Sequence, residues 1–313
     1  MNYLIFSLNM VSPIFIIVLL GFIMRRKKLI NEAFSKSASS IIYYYALPVK
    51  LFQDVSESDF YSLLNVKFIL YIIGITVVSF SVIWFAISIF SKDRSKIAAF
   101  VHASYRGNYV YIGLPITQVI LDKEIIPSAI LIIAFVLPLY NILAVILFSY
   151  YNQQKRDLKG LMLKILRDPM VLGVAIALPF SLLKIELPFA LTKAMNYIGS
   201  LATPMALLLI GSGIKFDSFL KNIRYILNAS IFKVIIQPLL FVPPAIFLGF
   251  SSEEIATIYV LMATPTAMNA YIVTKKFGGD EVLVGGIILA TIISSAIILP
   301  IGAIILKVLH VIS

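Results

Sequence analysis

Two stretches of this chain have residue types and positions that could do chemistry together: Arg106–Ile116 (RGNYVYIGLPI) and Met262–Val273 (MATPTAMNAYIV). Each is a polar, Gly/Pro-interrupted patch inside a hydrophobic segment. In the apolar span that holds the first, His102, Arg106, Asn108, Tyr109, Gly113 and Pro115 fall in or near the middle. Gly107 and Gly113 weaken a helix and Pro115 removes a hydrogen bond, so an unwound stretch between two half-helices is expected. In the second, Thr264-Pro265 reads as a helix start, with threonine capping and proline in the first turn, and Thr266 and Asn269 add polar groups on the next turn. Glycine and proline also merely kink membrane helices, and one such segment would read either way. Two at matching places favour a site. Broken helices running in opposite directions can cross at their breaks and aim the positive ends of their half-helices at one cavity.

The charges say what such a cavity would hold. The basic residues inside apolar spans are Lys50, Arg106 and Lys233, while the acids Asp54, Asp122 and Glu253 sit at span ends. Ionisable groups inside a membrane are costly and default to function. Positive charge and helix N-termini suit an anion. The lack of central carboxylates argues against a carboxylate-caged sodium site or an acidic proton relay, although backbone carbonyls and asparagine could still hold Na⁺. Arg106 is expected to line the cavity or brace the crossing. Lys50, one turn from the outer end of its span, can snorkel to the headgroups. Lys233 suits packing between helices as well as transport. His102, one turn before Arg106, is a candidate for proton coupling, with a hydrogen-bonded structural role favoured. Tyr140-Asn141, after Pro138, face the cavity or bond a neighbouring helix, and Tyr43–Tyr45 read as packing.

These residues need a frame to position them. The chain has 313 residues, of which 60% are hydrophobic and 13% charged, too few charges to coat a soluble globule. That composition predicts a polytopic membrane protein. The absence of cysteine excludes disulfides, thiolate metal sites and cysteine nucleophiles. The net charge of +11 clusters in short loops, which speaks for membrane topology rather than nucleic acid. Met1–Met24 has no basic residue before its apolar run and the cluster Arg25–Lys28 after it, the reverse of a cleavable signal. The pattern contains no HExxH, GxSxG or P-loop, so neither an enzyme nor a cofactor is expected.

Spans of roughly 20 apolar residues fall near 3–24, 37–54, 67–90, 97–120 and 125–150, then near 168–184, 190–213, 225–249, 254–276 and 281–309. With the N-terminus outside, the cytoplasmic loops hold 18 of the Lys and Arg residues and the outer loops and tail hold 5. Both termini are therefore expected outside. The halves also match. Pro13 pairs with Pro169 and Pro48 with Pro204, each 156 residues apart, and Ile97 pairs with Ile255 and Asp122 with Asp280, each 158 apart. Five spans per half is an odd number, so the second half inserts upside down. The expected fold is all-α and integral to the membrane: ten transmembrane helices as two inverted five-helix repeats with broken, crossing fourth and ninth helices. Residues 1–313 form a single membrane domain, with repeats at 1–150 and 168–313 joined by a cytoplasmic linker at 151–167.

At these residues the sequence resembles the auxin efflux carrier family of membrane transporters. The resemblance covers nearly the whole chain and is sharpest in Tyr105-Arg106-Gly107-Asn108-Tyr109 through Gly113-Leu114-Pro115, in Thr264-Pro265-Thr266-Ala267 through Phe277-Gly278-Gly279-Asp280, and in Thr291–Pro300. It implies a scaffold of the first, second, sixth and seventh helices and a transport domain of the others that moves like an elevator. It would place the crossing prolines at Pro115 and Pro265, a substrate-contacting asparagine at Asn108 and a fifth-helix tyrosine at Tyr140. The short loop between the halves resembles bacterial members, many of which handle malate, malonate or related acids. The expectation is a secondary carrier for a small organic anion in a bacterial plasma membrane. The substrate-binding candidates are Arg106, Asn108, Tyr109, Gly113, Pro115, Tyr140, Asn141, Thr264, Pro265, Thr266 and Asn269, with His102 and Lys50 in coupling or support. The expected partners are the anion and the lipid bilayer, with no metal and no nucleic acid, and the family analogy suggests a homodimer through the scaffold. The competing readings are a sodium-coupled symporter of the bile-acid type and a non-transporting membrane receptor.

Overall fold

The computed structural model describes residues 13, 16–57, 65–121, 127–151, 163, 166–167, 169–213 and 220–312. The beginning of the expected first span, Asp122 and most of the linker lie outside the described residues. The rest is helical. Helix α1 runs over residues 16–26. Helix α2 joins Glu32–Ile41 to Leu47–Ser56 through a π turn at Ile42–Ala46. Then come α3 (Val66–Phe90), α4 (Arg94–Tyr105) and α5 (Leu114–Leu121, entered through a π turn at Tyr109–Gly113). Helix α6 joins Pro127–Leu131 to Leu137–Tyr151 through a π turn at Ile132–Val136. The second half holds α7 (Pro169–Leu182), α8 (Phe189–Ser212), α9 (Ile223–Phe247, with a π turn at Phe232–Ile236), α10 (Ser252–Ala263), α11 (Asn269–Lys276) and α12 (Glu281–Val308).

Among the described residues, four helices are long and apolar enough to cross a membrane by themselves: α3, α8, α9 and α12. The two expected spans that carry the polar patches instead divide, into α4 and α5 and into α10 and α11.

Local chemistry explains where helices start and widen. Asn65, Asp93 and Asp280 accept backbone N–H groups at the starts of α3, α4 and α12. Ser251 and Glu254 form a reciprocal capping box on α10. Each of the four described π turns ends two residues before a proline: Pro48, Pro115, Pro138 and Pro238. Proline lacks an N–H and its ring collides with the carbonyl one turn back. A wider turn ahead of it relieves that collision while keeping the chain helical. Pro179, Pro243, Pro244 and Pro300 lie inside helices without such a turn.

Two groups of packed helices frame the crossing, and they also touch each other, α6 on α7 and α11 on α8 and α2. Helix α1 lies against α8 so closely that a Cβ on Gly21 or Gly211 would collide with the carbonyls of Leu208 and Val18. Small residues permit this approach where lipid supplies no hydrophobic driving force. Helix α2 packs on α7, with Gly173 against the Pro48 carbonyl, and also on α8. In the second group α12 packs on α4 and α9, α10 on α5 and α9, and α11 on α12.

Candidate functional site

Helix α4 stops at Tyr105. Arg106 is extended, Gly107 forms an isolated bridge and Asn108 turns back (ψ 62°) before the chain coils again at Tyr109. Helix α10 stops at Ala263. Thr264 is extended there (ψ 148°), because the residue before a proline is driven out of the helical region. The two breaks lie antiparallel and bridge at Gly107 and Thr266. The Asn108 N–H donates to the Pro265 carbonyl at 2.8 Å, and the Ala267 N–H donates to the Arg106 carbonyl at 3.1 Å. Backbone groups freed by each break are satisfied by the other, as an apolar environment requires.

Each break also frees carbonyls in its own helix, because their usual donors four residues on are diverted. Asn108 N–H has gone to Pro265, and the Ser104 carbonyl takes the Gln237 amide instead, at 2.9 Å. The Ala103 carbonyl takes the Thr266 hydroxyl at 2.7 Å. On α10, Pro265 has no N–H to give Leu261, and the Thr266 N–H has gone to Thr291 Oγ1 at 3.0 Å. The Thr264 hydroxyl reaches the Leu261 carbonyl at 3.0 Å. Lys233 Nζ donates to the Met262 carbonyl at 3.1 Å and the Leu261 carbonyl at 3.4 Å. Gly107 permits the crossing: a Cβ there would lie 2.6 Å from Thr264 Oγ1, 3.0 Å from the Leu261 carbonyl and 3.2 Å from Lys233 Nζ.

Beside the bridge a cleft opens between the two helix groups. It spans about 590 Å³ of space not filled by protein atoms, open solvent at its mouth included. From the first group α2 contributes Lys50 and α8 contributes Ala202 and Ala206; from the crossing come Arg106, Asn108, Tyr109 and Asn269. Among the described residues, no acidic one lines it. Asn108 is buried, yet its Nδ2 finds no hydrogen-bond partner among the described residues, and neither does Asn269 Oδ1. Buried amides are normally paired, so open ones at a cleft mark polar capacity held for something else.

The expected site residues divide into three sets. Lys50, Arg106, Asn108, Tyr109 and Asn269 meet at the cleft. Thr264, Pro265, Thr266 and Gly113 hold the crossing instead. Both threonines are fully buried and spent on carbonyls, and a Cβ on Gly113 would lie 2.8 Å from Thr264 Cγ2. Tyr140, Asn141 and His102 stand behind the wall. The Arg106 guanidinium lies 5.9 Å from the Tyr140 ring, and Tyr140 packs 5.5 Å from Tyr105. Both amide atoms of Asn141 lack a hydrogen-bond partner among the described residues. His102 Nδ1 lies 3.0 Å from Thr274 Oγ1, tying α4 to α11.

Two expectations are corrected. Thr264-Pro265 does not start a helix but ends one; the next begins at Asn269, after the bridge has used the intervening backbone. Pro115 is not at the bridge. It sits in the first turn of α5, eight residues beyond Gly107, and its counterpart there is the glycine. Sequence reasoning passed over Gln237 and Ser79, and gave Thr291 no role beyond its place in the family pattern. Their one signal was a polar side chain in an otherwise apolar span.

Fold and site together define a multi-pass membrane protein whose paired helix breaks floor a cationic cleft. Comparison with known proteins gives the class a family. Residues 6–302 match the family described as "Membrane transport protein". The chain belongs to that family, the auxin efflux carrier family of the resemblance above, a family of transporters and not of enzymes. Among its relatives, a protein of Rhizobium meliloti (strain 1021) named "Putative malonate transporter" is 26% identical over 302 residues, covering 92% of each chain. "Uncharacterized transporter MJ1031" of Methanocaldococcus jannaschii is 22% identical over 305 residues, covering 93% of this chain and 96% of its own. "Uncharacterized transporter YfdV" of Escherichia coli (strain K12) is 22% identical over 288 residues, covering 87% and 88%.

Proposed function

We propose that this transporter is a secondary, elevator-type carrier for a small organic anion, a mono- or dicarboxylate of the malate or malonate kind. The observation that carries the reading is the cleft itself: Lys50, Arg106 and the open Asn108 amide converge on it, and among the described residues no carboxylate does. An arginine guanidinium suits a carboxylate because its fork of donors matches the two oxygens. The name of the Rhizobium relative points the same way. In this reading the chain forms ten spans as two inverted repeats, sits in the plasma membrane and keeps both termini outside. The group of α1, α2, α7 and α8 stands still while the group bearing the crossing carries the substrate past it. The cleft lies between the two groups, as such a movement needs. Export of a monovalent anion can draw on the membrane potential, worth about 2.3 kcal/mol per charge per 100 mV.

The test is flux in proteoliposomes holding the purified chain, with labelled malonate, malate and monocarboxylates under an imposed potential. Saturable, potential-dependent uptake of one acid, abolished in Asn108→Ala while the variant still folds and inserts, is expected. Unchanged flux in Asn108→Ala would remove the cleft as the substrate site. Ligand binding without flux of any acid would identify a receptor instead.

A further inference from the structure

Lys233 is fully buried in the middle of α9, and the cleft does not reach it. Its ammonium has three N–H donors and three oxygen neighbours: the Gln237 Oε1 at 3.0 Å, the Met262 carbonyl at 3.1 Å and the Leu261 carbonyl at 3.4 Å. Those carbonyls are the ones left without N–H partners where α10 breaks, at the negative end of its dipole. Gln237 cannot turn its oxygen elsewhere, because its Nε2 is held by Ser79 Oγ at 2.7 Å and the Ser104 carbonyl at 2.9 Å. The result is a rigid cluster of neutral oxygens around one positive charge. Carbonyl oxygens arranged in this way take the place of a monovalent cation's hydration shell. The floor of the cleft separates this charge from the substrate by one backbone segment, since a Cβ on Gly107 would lie 3.2 Å from Nζ.

We infer that Lys233 is a tethered cation built into the crossing. Its ammonium occupies an oxygen cage that would otherwise take a free monovalent cation, so the crossing is held together without sodium. Lys233 is thus a positioning residue. It neutralises the broken end of α10 and fixes the bridge that presents Arg106 and Asn108 to the cleft. The consequence for transport, uptake that does not depend on Na⁺, rests on the carrier reading above. The cage and its occupant do not.

Thermal unfolding of the purified full-length chain in detergent separates the two. Wild type is expected to melt at the same temperature in sodium chloride and in choline chloride. Lys233→Ala is expected to melt at least about 5 °C lower in choline, and to recover saturably with Na⁺ or methylammonium, which are small enough for the vacated cage. Lys233→Met fills the space without charge and is expected to melt low in every salt. In proteoliposomes, acid uptake by wild type is expected to ignore Na⁺, and uptake by Lys233→Ala to rise at least tenfold with it. Saturable stabilisation of wild type by Na⁺ would overturn the inference, and that arm needs no variant to fold. So would Lys233→Ala that responds to neither cation, or Lys233→Met as stable as wild type. Wild type that moves no acid at all would defeat the carrier reading while leaving the melting result to stand.

Discussion

The two breaks answer one problem with different chemistry. At the end of α4 the freed carbonyls are met by neutral donors, the Thr266 hydroxyl and the Gln237 amide. At the end of α10 they are met by a threonine and an ammonium. The break after α4 therefore sends its own charge, Arg106, towards the cleft, while the break after α10 holds a borrowed charge behind it. Equal offsets in sequence did not require equal roles. One break presents side chains to a ligand and the other supplies a backbone platform and the means to keep it rigid.

That division can be broken most severely at its shared point. Gly107→Ala places a Cβ 2.6 Å from Thr264 Oγ1 and 3.0 Å from a backbone oxygen that cannot retreat. The bridge must open, and little folded protein is expected in size-exclusion chromatography of the detergent extract. A normal monodisperse peak would show that the two breaks do not depend on this contact.

Arg106→Gln tests the presenting side. It keeps the backbone bond to Ala267 and removes the charge at the cleft. Uptake at low substrate is expected to fall between about 10-fold and 100-fold, in line with losing a charge-assisted contact worth about 1.5–3 kcal/mol. The melting temperature is expected to change little, and a large drop there with unaltered uptake would move Arg106 to the supporting set.

Thr266→Val tests the platform with the smallest expected effect. It removes the hydroxyl from the Ala103 carbonyl and keeps the shape. A buried acceptor left without its donor costs about 1–3 kcal/mol. Lower thermal stability with the apparent affinity for substrate unchanged is the expected signature. A changed affinity with unchanged stability would place the hydroxyl in the substrate's path.

Much of this is legible in the sequence. Apolar runs and loop charge marked the membrane class because bilayer thickness and headgroup charge act on composition directly. Glycine, proline and asparagine clusters marked both broken segments. Pro265 was read in the right place with the wrong consequence: proline both suits a helix start and forbids helix to the residue before it, and here the second effect dominates. Pro115 drew attention from Gly107, because local rules score a missing N–H and cannot see that another chain segment needs the space a Cβ would fill.

The sequence by itself determined that this chain is a multi-pass membrane protein with two interrupted segments, and that the charge inside its apolar spans is basic. Those properties follow from composition and from neighbours within a turn or two. Only the tertiary structure decided that Gly107 bridges Thr266, that Asn108 reaches the cleft while Thr264 and Thr266 do not, and that Lys233 closes the end of a helix some thirty residues further on. Each of these pairs a group freed by one break with a donor from a distant segment. The pairing is fixed by which helices pack together and by the cost of leaving any polar group unmatched away from water.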